Sequence, residues 1–351
     1  MRPIRLLLLL AFPALLAAIW GGWHRLGWRL PTPPALTTAH GPLMVLGFLG
    51  ALIPLERAAA LRRPWMLAAP LMAGAGWVAL LIAPRPGMFL LTLSSWVTVL
   101  ILGVMLKQEP RPHTLTMALG ALALAVGNAL WLAGQPIFKV VYAWMAFLVL
   151  TIAGERLELS RVLRPSPAQI SAFLAAVVLL TLATGLIWIN LDRGARLFGL
   201  GAVVFGLWGL RYDLAARNLR HPQPLTRYMA VSLFSGFIWL SVAGLLLLIL
   251  GAQVAGPLYD APLHALFVGF VITMIFAHAP IILPTLLGRS SGFTPFSYLN
   301  LGLLHVSLLL RLVGDLTLQP TLRSWGGLFN GVAILLFLFF TLVALMRKRG
   351  A

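Results

Sequence analysis

The 351-residue chain has no cysteine. That removes disulfides, thiolate metal sites, iron–sulfur clusters and covalent haem attachment through a CxxCH motif. Charge is also scarce: Asp, Glu, Lys and Arg make up 10% of the residues, against roughly 25% in a soluble domain. Only eight of them are acidic. What is abundant is apolar, 60% of the chain. Such a chain cannot cover a water-facing surface, so its main solvent must be lipid. Any metal or haem would rest on His, Met or oxygen ligands, and the seven histidines form the short list.

Backbone groups in lipid must find partners within their own segment, so long apolar runs read as helices. Twelve are expected, with cores at 4–22, 38–55, 65–84, 88–106, 114–133, 138–155, 167–190, 197–212, 228–250, 261–283, 292–313 and 325–346. The fold class expected is therefore an all-α integral membrane protein of about twelve transmembrane helices. The first run lacks a small-residue cleavage site before Trp23 and is read as retained. The connections are short, so the chain is one polytopic domain.

The basic residues set the orientation. One set of alternate loops holds 18 Lys and Arg, including Arg57, Arg62, Arg63, Arg156, Arg289 and Arg347. The other holds eight: Arg25, Arg29, Arg85, Lys139, Arg193, Arg196, Arg311 and Arg323. The bias places both termini in the cytoplasm and the protein in the inner membrane. The net charge of +18 fits topology and anionic headgroups; with no polar domain to carry it, nucleic acid is excluded as a partner. A short repeat adds a hint of order. PLERAAALRRP (54–64) and AGERLELSRVLRP (153–165) both place Glu-Arg at the inner edge, four spans apart. The tenth span ends inward at Gly288-Arg289, which suggests three arcs of four helices.

Histidines sort by depth. His24 falls outside, and His113 and His221 inside, all at loop or headgroup level. His40, His264, His278 and His305 fall within spans. An ionisable group there is a functional candidate, although a neutral histidine bridging two helices is the plainer alternative. His40 and His264 sit near the outer ends of the second and tenth spans, within roughly 5 Å of one level at the helical rise. Two imidazoles from separate helices at one depth can hold a haem iron from opposite faces. His278 lies about 21 Å deeper than His264 on the same arithmetic and roughly 40° round the helix; His305 matches neither level. His278 and His305 are therefore candidates only for a second metal or haem. Gly41, Gly47, Gly50 and Gly269 flank the first pair and would admit a macrocycle or a neighbouring helix.

At these two segments the chain resembles the haem-copper oxidase subunit I superfamily, and within it the smaller NnrS-type membrane proteins. TTAHGPLMVLGF (37–48) is similar to the second oxidase helix, whose histidine ligates the low-spin haem. HALFVGFVITMIFAHAPIILPTLLGR (264–289) is similar to the tenth, through its histidine, Pro284 and Gly288-Arg289. The resemblance implies an oxidase-like bundle and a b-type haem held by His40 and His264. Through the NnrS proteins it also implies copper binding and a role in nitric-oxide or denitrification-linked metabolism. Two departures restrict this. The oxidases carry a second histidine two residues before the low-spin ligand, where this chain has Pro262. They hold copper through histidines on the sixth and seventh helices, where 138–155 and 167–190 have none. A binuclear haem–copper site cannot be assembled, so oxygen-reducing oxidase activity is not expected.

Other charged residues have plainer roles. Arg323, with Trp325 beside it, is a candidate partner for a haem propionate or an ordinary interfacial residue. Arg311 and Asp315 read as topology and capping residues. Glu56-Arg57, Glu155-Arg156, Arg211 and Asp213 read as salt bridges at the inner edge. The leading expectation is a haem b protein that exchanges electrons with a quinol or a periplasmic carrier; a transporter or a non-redox scaffold is the alternative.

Overall fold

Proline marks where the helices begin. Pro64, Pro84, Pro112, Pro167, Pro224, Pro257 and Pro320 each occupy the first turn of a helix, where the missing N–H leaves no hydrogen bond unmade and φ is already suitable. The computed structural model describes residues 2–287 and 293–346. Gly288-Arg289 and the basic residues 347–349 lie outside the described residues. Every expected span coincides with a helix: α1 Arg2–Arg25, α2 His40–Leu61, α3 Pro64–Ile82, α4 Pro84–Gln108, α5 Pro112–Leu132, α6 Ile137–Leu163, α7 Pro167–Leu186, α8 Leu191–Asn218, α9 Pro224–Leu250, α10 Pro257–Thr285, α11 Ser297–Leu316 and α12 Pro320–Val343. Among the described residues eleven helices are long and apolar enough to cross a membrane, and there is no strand.

The boundaries differ where proline was discounted. Cores expected from 228, 261 and 325 begin at Pro224, Pro257 and Pro320, because the first turn of each helix is polar or proline-bearing and adds little to an apolar run. A second departure is internal. Residues Leu43–Leu49 of α2 and Ala265–Ile272 of α10 are π-helical. Depth arithmetic at the α-helical rise therefore fails across α10, since eight of the fourteen steps from His264 to His278 pass through wider turns. His278 is less deep, and turned differently, than 21 Å and 40° would place it.

The chain divides into two compact units, residues 1–154 and 155–351. In the first, Gly47 of α2 packs between α1 and α3: a Cβ there would lie 3.0 Å from both Ala14 Cβ and Trp77 Cβ. Trp77 closes the contact by donating Nε1–H to the Leu10 carbonyl, 3.0 Å away. In the second, α8 and α9 meet at Gly199 and Gly244, where a Cβ on either would lie about 2.5 Å from the other's carbonyl oxygen. Lipid supplies little hydrophobic drive between helices, so such small-residue contacts carry much of the packing. The two repeat segments share a local ending: α2 is followed by Arg62 and the last turn of α6 by Arg164, both left-handed with φ of 54° and 49°. Glycine usually holds that position.

Candidate functional site

His40 opens α2 after a short lead-in helix, Pro34–Thr38. The lead-in is tied back to the end of α1. His24 Nδ1 and Thr37 Oγ1 are 3.1 Å apart, and Trp20 donates Nε1–H to Thr32 Oγ1 at 3.1 Å. His24 thus has a structural partner where headgroup solvation was expected. The half-buried His40 ring lies over Gly22 of α1, with Nδ1 2.7 Å from the Ala18 carbonyl oxygen. A carbonyl can only accept, so Nδ1 carries the proton and the ring's lone pair is on Nε2. Gly22 makes the approach possible: a Cβ there would lie 2.8 Å from Cε1 and 2.9 Å from Nδ1.

His264 has the same tautomer by another route. Its Nδ1 lies 2.9 Å from the Asp260 carbonyl oxygen one turn earlier, and the lone pair again falls on Nε2. Each histidine is followed by a π-helical segment, one beginning at Leu43 and the other at Ala265. Such segments are rare and concentrate at functional sites. The flanking glycines mostly serve packing. Gly47 receives Ala14 and Trp77, while a Cβ on Gly269 would lie 2.5 Å from Trp239 Cγ. Only Gly41 has room beside it, its nearest neighbour being Trp144 at 3.9 Å.

Next to His264 in the second unit is a cluster of four charges. The Asp260 carboxylate contacts Arg311 Nη2 at 3.3 Å and, more closely, Arg323 Nη2. Asp315 lies 2.8 Å from Arg323 Nε and 3.8 Å from Arg311 Nε. Arg311 and Asp315 are buried, at 7% and 0% exposure. They are members of an ionic network rather than the topology and capping residues expected. Arg323, the propionate candidate, is engaged here by two carboxylates. Close helix packing explains the burial: a Cβ on Gly326 would lie 2.6 Å from Arg311 Cα, and one on Gly314 would lie 2.9 Å from Arg323 Cα. The sequence signal was weak. The chain has eight acidic residues, but Asp260 and Asp315 lie just beyond the expected cores. They enter the helices only because α10 begins at Pro257 and α11 ends at Leu316.

The remaining histidines separate clearly. Trp239 donates Nε1–H to His305 Nδ1 at 3.0 Å, so His305 Nε2 carries the proton and donates to Ser235 Oγ at 3.0 Å. Ser235 Oγ–H in turn donates to the Ser232 carbonyl at 2.9 Å. Both ring nitrogens of His305 are committed to this chain between α9 and α11, and neither is left for a metal. His278 binds the Met274 carbonyl through Nδ1 at 2.7 Å and is not brought together with His305 by any described contact. His113, expected at headgroup level, is buried at 2% exposure, with Nε2 3.6 Å from Glu109 Oε1. His221 accepts Gln223 N–H in the loop before α9. At the other end of the second unit, Arg156 pairs with the buried Asp213.

Among the described residues, no three His, Asp or Glu side chains converge on one point. A bare metal ion draws three or four ligands from the protein. A haem brings its own equatorial nitrogens and needs only axial ones. His40 and His264, each with Nδ1 on a backbone carbonyl and the lone pair on Nε2, fit the second requirement.

The fold and these buried polar groups define a multi-pass, all-α membrane protein. The chain belongs to the family described as Domain of unknown function (DUF8744), whose model matches residues 4–346. No curated protein matches it.

Proposed function

We propose that this protein is a haem b-binding membrane protein in which His40 and His264 would hold the iron. The observation that carries the reading is the locked tautomer. In both histidines a backbone carbonyl holds the Nδ1 proton, which orients the ring and puts the donor pair on Nε2, as metal-ligating histidines require. The haem would supply a one-electron couple. An iron with two histidine ligands is coordinatively full, which favours electron transfer with a quinol or periplasmic carrier over gas binding. The resemblance to the NnrS proteins extends the proposal to copper and to nitric-oxide or denitrification-linked metabolism. The charge bias supports residence in the inner membrane with both ends cytoplasmic; a C-terminal reporter active only on the outer side would overturn that orientation.

Reduced-minus-oxidised spectra of the purified protein test the haem. Wild type should show the bands of a low-spin b haem. His40→Ala and His264→Ala should each abolish them, and His221→Ala, in a loop, should not. Folded wild type that lacks haem when made in haem-replete cells would return the protein to the transporter or scaffold alternatives. A wild-type spectrum in either ligand variant would refute the pairing.

A further inference from the structure

His264 and His278 lie on one helix and make the same local bond. Each gives Nδ1–H to the carbonyl four residues earlier, Asp260 at 2.9 Å and Met274 at 2.7 Å. What differs is the residue that owns the carbonyl. Met274 is a buried apolar side chain. Asp260 carries a carboxylate tied to two other helices. Its Oδ2 meets Arg311 Nη2 of α11 at 3.3 Å and, more closely, Arg323 Nη2 of α12. Asp260 therefore joins the His264 ring, through its backbone, to the ionic cluster, through its side chain.

The cluster is a closed ring in which each aspartate contacts each arginine. Two negative and two positive charges bolt α10, α11 and α12 together, and the ring is neutral as a whole. Asp260, Arg311 and Asp315 are all buried. A charge in such a place acts roughly four times more strongly than in water. One left unbalanced by a substitution would be felt one helical turn from His264. The Asp192–Arg196 pair of α8 differs in kind: both side chains are exposed, and solvent and salt screen them.

We propose that Asp260 is the positioning residue for His264, and that the neutral ring around it sets the reduction potential of the iron that His264 would hold. This rests on the haem reading. The Asp260 carboxylate fixes the first turn of α10 against α11 and α12. The carbonyl of the same residue fixes the imidazole, so Nε2 keeps one direction. Groups behind a histidine ligand orient it and tune the metal. The sign of the tuning follows from charge. Ferric iron carries one more positive charge than ferrous. Removing the negative charge of Asp260 therefore favours the ferrous form, and removing the positive charge of Arg323 favours the ferric form. Loosened packing alone has no such sign.

Mediated dithionite titrations of the full-length protein in lipid nanodiscs, paired with electron paramagnetic resonance of the oxidised form, test it. Asp260→Asn keeps the carbonyl and loses the charge. Its potential should rise by at least about 59 mV, a tenfold shift of a one-electron equilibrium, and its low-spin signal should change. Arg323→Gln should lower the potential by a similar factor. Asp260→Asn with Arg323→Gln restores neutrality, so the potential should return toward wild type while the low-spin signal stays altered. Asp192→Asn should change neither. An unchanged potential in Asp260→Asn, or shifts of one sign in both single variants, would overturn this proposal and leave the haem in place. If Asp260→Asn does not fold, an unchanged or raised potential in Arg323→Gln overturns it. Folded wild type without haem would overturn the haem reading and this proposal together.

Discussion

Arg156 grips Asp213 through two parallel hydrogen bonds, Nε to Oδ2 at 2.8 Å and Nη2 to Oδ1 at 2.7 Å. Asp213 Oδ1 also accepts the Ala215 N–H at 2.7 Å, so one carboxylate holds the end of α6 and caps the turn that closes α8. Both side chains are buried. Asp213→Ala would strand a guanidinium away from water, and a cost of about 3–5 kcal/mol is expected. Arg156→Leu combined with Asp213→Leu should recover much of it, because the pair leaves together. Thermal melts in detergent measure both. A single variant that melts with wild type would show that the pair contributes little.

Gly22→Ala is expected to act on His40 without touching a ligand. Its methyl would occupy the space of the imidazole, breaking the Nδ1 bond to Ala18 and rotating Nε2. Haem content or the low-spin signature should fall while the helices persist. Gly103→Ala is the matched control, since a Cβ there meets nothing within 4 Å. Equal haem spectra in the two variants would contradict the role given to Gly22.

His305→Ala should behave as a packing variant. It removes the acceptor for Trp239 and the donor to Ser235. Interhelical hydrogen bonds in membranes are worth about 0.6 kcal/mol on average and up to about 1.7, so a loss of roughly 1–3 kcal/mol is expected with unchanged haem. Lost metal or haem at wild-type stability would instead make His305 a ligand.

The spans were legible because lipid enforces one rule on every residue: apolar runs of bilayer length must be helical. Their starts were less legible, since Pro224, Pro257 and Pro320 act through backbone geometry and not hydropathy. The candidate histidines could be chosen from the sequence because an ionisable group at depth is rare. Their partners could not, because Ala18, Asp260 and Met274 contribute carbonyl oxygens, which every residue has. Asp260 and Asp315 fall just outside the expected apolar cores 261–283 and 292–313, so hydropathy did not mark either as buried. Only the packing of Gly314 and Gly326 against the arginine backbones shows that they share one buried cluster with Arg311 and Arg323.

The two π-helical segments make the chain tolerant of one particular length change at two places. A π turn holds one residue more per hydrogen-bonded loop than an α turn. Removing a single residue from Leu43–Leu49 or Ala265–Ile272 would let the helix revert to ordinary winding, and the lost residue and the tighter turn nearly cancel. Everything beyond would keep its face, whereas the same deletion in an ordinary α-helical stretch swings it by about 100°. Comparison of related chains should therefore find single-residue deletions within these two stretches more often than elsewhere in the spans.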